Sequence, residues 1–472
     1  MPPAGAEARA EQLATLARVS HERLISDELG RLLDEAAKEV DGLPYDSTEA
    51  SLVRVARRDW EKARRVPAEL RAEITRAASL AEHAWAAHRE RSDFAGFLPH
   101  LDRNVELRRR YAECFAGFPG FEHPYDPLLD DFEPGMTTTE VSTVLAELRD
   151  GVRPLVAEIP TSPNPVDDSC LYGDFPLEAQ DRLARDVVAE LPLEEGAWRL
   201  DPTVHPFATA ISPSDIRITT RFEAGYIGTA LWAVIHEAGH GMYENGIPHE
   251  LWRSPLSTPA SLAFHESQSR MWENWVGRGR PYLEHLRPRL AELFPTRFGA
   301  VDTEGLYRAA NKIEPSLIRV EADQLTYNLH IVLRFELEIE IFTGKLELAD
   351  LPDAWNARVA EYLGIEVPDD ARGVLQDVHW AAGAFGYFPT YALGNVIAAQ
   401  VWDAVNEEVP DLAERIERGE LAFLRDWLRE HLHRHGNKFM PSELIQRVVG
   451  GPLAVGPYLR QLRERAREIY GV

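Results

Sequence analysis

The sequence predicts a mainly α-helical protein, and three observations carry that prediction. Apolar residues recur at i, i+3, i+4 spacing through most of the 472 residues. Strand-like alternation is scarce, its best example being DIRITTRF at 215–222. A composition of 44% hydrophobic and 27% charged residues is enough to bury a large core. At roughly 150 residues per domain the length would allow three domains. The Pro/Gly-rich stretches, such as FPGFEHPYDP (118–127) and IPTSPNPVDD (159–168), read instead as loops within one large helical body. A soft boundary near residue 200 separates a helical N-terminal half, 1–200, from a half that carries the chemistry, 201–472.

The helical candidates run in order. Residues 6–40 place Leu13, Leu16, Ala17, Leu24, Leu29 and Leu33 on one stripe, and similar patterns cover 66–90, 94–116, 138–157 and 176–191. In the second half the candidates are 228–245, 259–276, 281–293, 320–341, 391–406, 420–434 and 457–470. In the one strand candidate, Ile216, Ile218 and Thr220 alternate with Asp215, Arg217 and Thr219. No repeat at solenoid period is visible.

Charge narrows the partners. Acidic residues number 77 and basic residues 51, a net charge of −26, with no basic block. Binding a phosphate backbone or an anionic bilayer needs clustered Lys and Arg, so neither nucleic acid nor a membrane is an expected partner. The two cysteines, Cys114 and Cys170, make no disulfide framework. No stretch reaches the roughly 18 apolar residues of a membrane span. The start lacks a basic segment followed by an apolar run, so the expected setting is cytoplasmic.

Residues 235–241 read IHEAGHG. Four helical residues turn through about 400°, so His236 and His240 lie one above the other, about 6 Å apart along the axis. Two imidazoles so placed suit one tetrahedral zinc. Glu237 then reaches a metal-bound water, whose pKa falls from 15.7 to about 7, and can take its proton. Sixteen histidines give about 0.05 chance occurrences of H-E-x-x-H, so context matters. Leu231, Trp232, Val234 and Ile235 make the helix a buried one, and Gly239 and Gly241 in it point to close backbone approach. A catalytic zinc needs a third ligand. Glu266, in FHESQSR (264–270) among Ala260, Leu262, Ala263, Met271, Trp272 and Trp275, is the candidate, because a carboxylate in an apolar stretch needs a compensating positive charge. The structural alternative is a half-exposed surface carboxylate.

HEAGH followed by HESQSR resembles the Taq-type metallocarboxypeptidases, the thermostable zinc carboxypeptidases. Further segments follow in the family's order: HPF (205–207), DIRIT (215–219), IRVEAD (318–323) and GVLQDVHW (373–380). The likeness extends from MPPAGAEARAEQLATLAR at the start to HRHGNKF at 433–439. Members of that family carry a further helical stretch, with a Trp-Asp-Gln element, ahead of the MPP segment. The resemblance implies a helical fold with a deep substrate groove, one wall or lid of it from residues 1–200, and a small sheet beside the zinc helix. It also implies a homodimer and removal of C-terminal residues from peptides with broad specificity. Zinc is the metal it implies, with cobalt able to serve.

A carboxypeptidase must grip a free α-carboxylate, and the planar fork of arginine suits this. Arg319 is the first candidate, its alternative being an ion pair with Glu321 or Asp323. Arg217 is the second, its alternative an ion pair with Asp215 on the same strand face. That strand could also hold substrate backbone by β-augmentation. Donors to the developing oxyanion are expected in QDVHWAAGAFGYFPTY, which offers Gln376, His379, Tyr387 and Tyr391. By family likeness His379 and Tyr387 are preferred as the donors, with Gln376 near the substrate. Phe385 and Phe388 read as core aromatics. His431, His433 and His435 read as residues of a helix's last turn closed by Gly436, not as a second metal site. Within enzymes, a zinc endopeptidase or dipeptidase with the same ligands is the competing reading. Outside them, it is a non-catalytic helical interaction protein.

Overall fold

The computed structural model describes residues 3–472; the Met-Pro that opens the MPP segment lies outside them. Helices dominate, as predicted, with one three-stranded sheet. The stretch 6–40 is two helices, Ala6–Leu24 and Asp27–Glu39. Ser26 divides them: its backbone is extended and its hydroxyl accepts the Leu29 N–H, a helix N-cap. The candidate at 320–341 begins only at Tyr327. Arg319–Glu321 is a single 3-10 turn, and just after it Asp323 Oδ1 accepts the Leu325 N–H at 2.8 Å, a local bond that competes with helix.

Helices at Thr48–Ala63, Thr303–Ala310, Leu351–Leu363 and Pro441–Val449 escaped the periodicity reading. In Thr48–Ala63 the one fully buried residue is Ser51, so the helix has no continuous apolar stripe to read. The histidines at 431–435 also differ from expectation. The helix Ala422–His431 ends before His433, which sits in a 3-10 turn, is fully buried, and has its Nε2 2.8 Å from Gln268 Oε1.

The strands are β1 (Trp198–Pro202), β2 (Ala208–Ser212) and β3 (Asp215–Thr220), in the order β1-β3-β2. β1 runs parallel to β3, with Arg199 opposite Arg217; β2 runs antiparallel to it, with Ala208 opposite Ile218. The sequence pointed to β3 alone, since β1 is short and ends in a proline and β2 is mostly small residues. Both edges of β3 are occupied. Contrary to expectation, β3 therefore has no edge on which to receive a substrate strand; the outer edges belong to β1 and β2.

Contacts divide the chain into two interleaved compact units, which do not follow a single boundary near residue 200. The first takes the chain through Arg149, then Pro315–Ala322 and Thr326–Thr390. Its core gathers Phe97, Leu101 and Val105 from the helix Phe94–Glu113, Leu329, Leu333 and Leu337 from the helix Tyr327–Phe342, and Trp355, Phe385 and Phe388. The second comprises Asp150–Glu314, Asp323–Leu325 and Tyr391–Val472. It contains the sheet, whose Ile216 and Ile218 are fully buried, and the helix Gly228–Gly246, which carries HEAGH. No helix among the described residues is long and apolar enough to cross a membrane.

Candidate active site

Two glycines explain how the HEAGH helix meets its neighbours. A Cβ on Gly239 would lie 2.7 Å from Ser269 Cα and 2.8 Å from Gln268 O, backbone atoms of the segment Leu262–Arg270. A Cβ on Gly241 would lie 2.7 Å from Ile216 Cγ2 on β3. Glycine thus lets the helix press against the Glu266 helix on one side and the sheet on the other, at a cost of about 1 kcal/mol in helix propensity per residue. Gly394 does the same from a third direction, since a Cβ there would come 2.8 Å from Glu266 Cγ.

This packing brings His236, His240 and Glu266 together, one ligand atom from each lying within 4.8 Å of the others. Glu266 Oε2 is 3.3 Å from His240 Nε2 and 3.7 Å from His236 Nε2. Two ligands each about 2.1 Å from a tetrahedral ion stand roughly 3.4 Å apart, so the spacing and the donor types fit zinc. Three ligands leave the fourth position open to water or substrate.

The surrounding groups orient these ligands. His236 Nδ1 lies 3.0 Å from Glu273 Oε2, which fixes the tautomer so that Nε2 faces the cluster. Glu273 sits in the π-helical turn Met271–Gly277, and Arg278 donates to its other oxygen at 3.1 Å. Arg270 Nε donates to Glu266 Oε1 at 2.6 Å, leaving Oε2 toward the histidines. The His265 ring stacks on His240 at 4.3 Å. Charge follows geometry. Burial raises the Glu266 carboxyl, but Arg270 and His236 outweigh it and hold it well below the usual range. Burial likewise opposes ionisation of Glu273, yet His236, Arg278 and Arg270 bring it down to about 2. Burial, with His265 beside it, pushes His240 down to about 3, so its imidazole is neutral, as a metal ligand must be. Glu237 is 7% exposed, and burial pushes it up to about 7 against the pull of His236. Sequence reasoning missed Glu273, although an acid in the apolar run MWENW is the same signal that exposed Glu266.

Residues 1–466 match the family described as carboxypeptidase Taq (M32) metallopeptidase. This chain belongs to that family. Thermostable carboxypeptidase 1 of Thermus thermophilus is 42% identical over 481 residues, covering 100% of this chain and 93% of the relative. Carboxypeptidase 1 of Bacillus subtilis is 38% identical, covering 99% and 93%. The crystal structure of the M32 carboxypeptidase from Deinococcus radiodurans superposes with a TM-score of 0.92 at 39% identity, covering 100% of this chain and 94% of that one. The chain is therefore a metallocarboxypeptidase, a hydrolase of the M32 family, and its mostly helical fold with one small sheet is the family's.

The remaining predicted residues of this M32 enzyme divide between the two units. Arg217 is on β3 in the second unit, half exposed, with Nε and Nη2 on the two oxygens of Asp215 at 3.1 and 3.0 Å, the alternative pairing read from the sequence. Arg319, Gln376, His379 and Tyr387 are in the first unit. Arg319 is 5% exposed; Nε and Nη2 donate to Asp377 Oδ1, and Nη1 donates to Tyr327 OH. Asp377 also takes Arg334 Nε at 2.7 Å, and burial notwithstanding, the two guanidinium groups hold its carboxyl far below the usual range. Gln376 is turned to the backbone: Oε1 accepts the Arg319 N–H, and Nε2 donates to Leu317 O. His379 and Tyr387 are neighbours with ring centroids 5.2 Å apart, both partly exposed, while Phe385 and Phe388 are buried as read.

Proposed function

We propose that this enzyme is a zinc carboxypeptidase that removes residues one at a time from the free C-terminus of peptides, with broad specificity. The observation that carries the metal reading is the His–His–Glu group with its 3.3 and 3.7 Å ligand separations. His236, His240 and Glu266 hold the ion; zinc is the natural choice for two imidazoles and a carboxylate, and cobalt suits the same donors. Bound there, zinc supplies Lewis acidity and makes water acidic enough to lose a proton near neutral pH.

Glu237 takes the proton from the attacking water and passes it to the departing amine nitrogen. Its burial supports this role, since a carboxyl pushed up to about 7 accepts and returns a proton near neutral pH. His379 and Tyr387 donate to the carbonyl oxygen as it gains charge. Arg319 holds the substrate carboxylate, with Gln376 steadying its backbone. Two guanidinium groups, Arg319 and Arg334, meet at the one carboxylate of Asp377, so this cluster is richer in arginine than in carboxylate. Such a local positive site answers the net charge of −26, because exposed charges are screened beyond about 8 Å at physiological salt. Arg217, already paired with Asp215, is the second choice.

A peptide and its C-terminally amidated twin, followed by mass spectrometry with and without chelator, test the reading. A ladder from the free peptide alone, abolished by chelator, supports it. Equal cleavage of both twins would contradict the need for a free carboxylate. The family likeness further supports a homodimer, which light scattering checks. The free thiols Cys114 and Cys170 support a cytoplasmic setting.

A further inference from the structure

The stretch 373–388 runs as turns, without helix or strand, before the helix that begins at Pro389, so side chains help to fix its path. One side chain grips it twice. Glu338, on the helix Tyr327–Phe342, is fully buried. Its Oε1 accepts Trp380 Nε1–H at 2.7 Å, and its Oε2 accepts the Gly386 N–H at 2.9 Å and the Tyr125 hydroxyl at 2.5 Å. Trp380 directly follows His379, and Gly386 directly precedes Tyr387. The two residues proposed as oxyanion donors are thus the chain neighbours of the two residues that Glu338 holds.

We infer that Glu338 is a positioning residue for the reaction, a clasp that sets His379 and Tyr387 relative to each other by bonding to both ends of the loop between them. This rests on the reading that those two residues act on the substrate. A carboxylate is a costly group for a core position that a leucine could fill, unless its bonds do something packing cannot. The loop is shaped to meet it. Gly386 has φ +93°, and a Cβ there would lie 2.3 Å from Leu128 O, so glycine alone can aim this N–H at Glu338. Asn104 Nδ2 donates to Trp380 O and Ala381 O at 3.0 and 2.7 Å, and Ala384 N–H bonds back to His379 O at 2.8 Å. Glu338 hydrogen-bonds to both ends.

Glu338→Gln tests the clasp. One oxygen becomes an NH2 group, which must then face either Trp380 Nε1–H or the Gly386 N–H, donor against donor. Displacing reacting groups by about 1 Å can cost on the order of 10²-fold in rate. The variant should keep its metal content and KM within about twofold while kcat falls by about that factor. The drop should shrink to a few-fold in a His379→Ala or Tyr387→Phe background, because the clasp acts through those side chains. Unchanged kcat in Glu338→Gln, or losses that simply multiply in the double variants, would overturn the inference. If His379→Ala and Tyr387→Phe are themselves fully active, the donor reading falls and takes the inference with it. If they are impaired while Glu338→Gln is not, only the inference falls. Should Glu338→Gln fail to fold, Trp380→Phe removes one clasp bond and keeps an aromatic ring; a kcat loss coupled to His379→Ala is again the expected result, and an uncoupled one overturns it.

Discussion

Glu273 Oε2 stands 3.0 Å from His236 Nδ1, and that contact turns the other nitrogen of His236 toward His240 and Glu266. The carboxylate is itself held ionised by Arg278 and Arg270, so His236 has a fixed anionic partner behind it. Glu273→Gln should therefore weaken metal binding by roughly 10- to 100-fold, as read by competition against a chelator of known affinity. Unchanged affinity would mean that the tautomer is set by something else.

Gly239→Ala pits two effects against each other. Alanine gains about 1 kcal/mol in helix propensity. The added Cβ would meet Ser269 Cα at 2.7 Å and Gln268 O at 2.8 Å, and backbone cannot rotate aside as a side chain can. Overpacking of this kind costs about 1–3 kcal/mol, so the steric effect should win. The melting temperature should fall, and metal affinity with it, since the Glu266 helix is pushed away. A more stable protein with intact metal binding would show that the close approach is not needed.

Arg319→Lys keeps the charge beside Asp377 and loses the planar fork. For peptides with a free carboxylate, kcat/KM should drop on the order of tenfold to hundredfold, the worth of one or two charge-assisted hydrogen bonds. Loss of folding is followed separately by circular dichroism. A folded variant with unaltered kcat/KM would remove Arg319 from the substrate site.

Glu338 also gives stability a pH signature. Burial pushes its carboxyl from 4.5 up to about 7, against the hydrogen bonds from Tyr125, Gly386 and Trp380 and the nearby charge of Arg334. A carboxyl that holds its proton more tightly when folded favours the native state at low pH. That contribution is lost as pH rises through the window from about 4.5 to 7. Denaturant midpoints should fall more steeply over this window in the parent than in Glu338→Gln, which keeps only the like contribution of Glu237. Parallel pH profiles would contradict the shift.

The legibility of the sequence varied with what each residue faces. HEAGH was readable because two candidate ligands share one helix, and helical spacing alone brings them together. Glu266 was readable because an acid among Phe264, Met271 and Trp272 needs a reason. Ser26, by contrast, interrupts a helical stripe without changing its apolar period, so the break between the first two helices was hidden. β2 was hidden as well, since its small residues borrow their order from β3. Arg319 was found as a residue but not in its setting: its partner Asp377 lies 58 positions away, and only the folded chain discloses that two arginines share that one carboxylate. Glu338 carried no signal, because ELEIEIF reads as an ordinary helix face until Trp380 and Gly386 arrive.

The most direct test of the account is Glu237→Gln, measured for both bound metal and turnover. His236, His240 and Glu266 remain in this variant, so metal content should stay at the parent level. Turnover of a free-carboxylate peptide should fall by a factor on the order of 10²–10⁴, the usual worth of a general base. A variant that binds metal normally and still hydrolyses the peptide at the parent rate would contradict the assignment of Glu237 and the chemistry built on it.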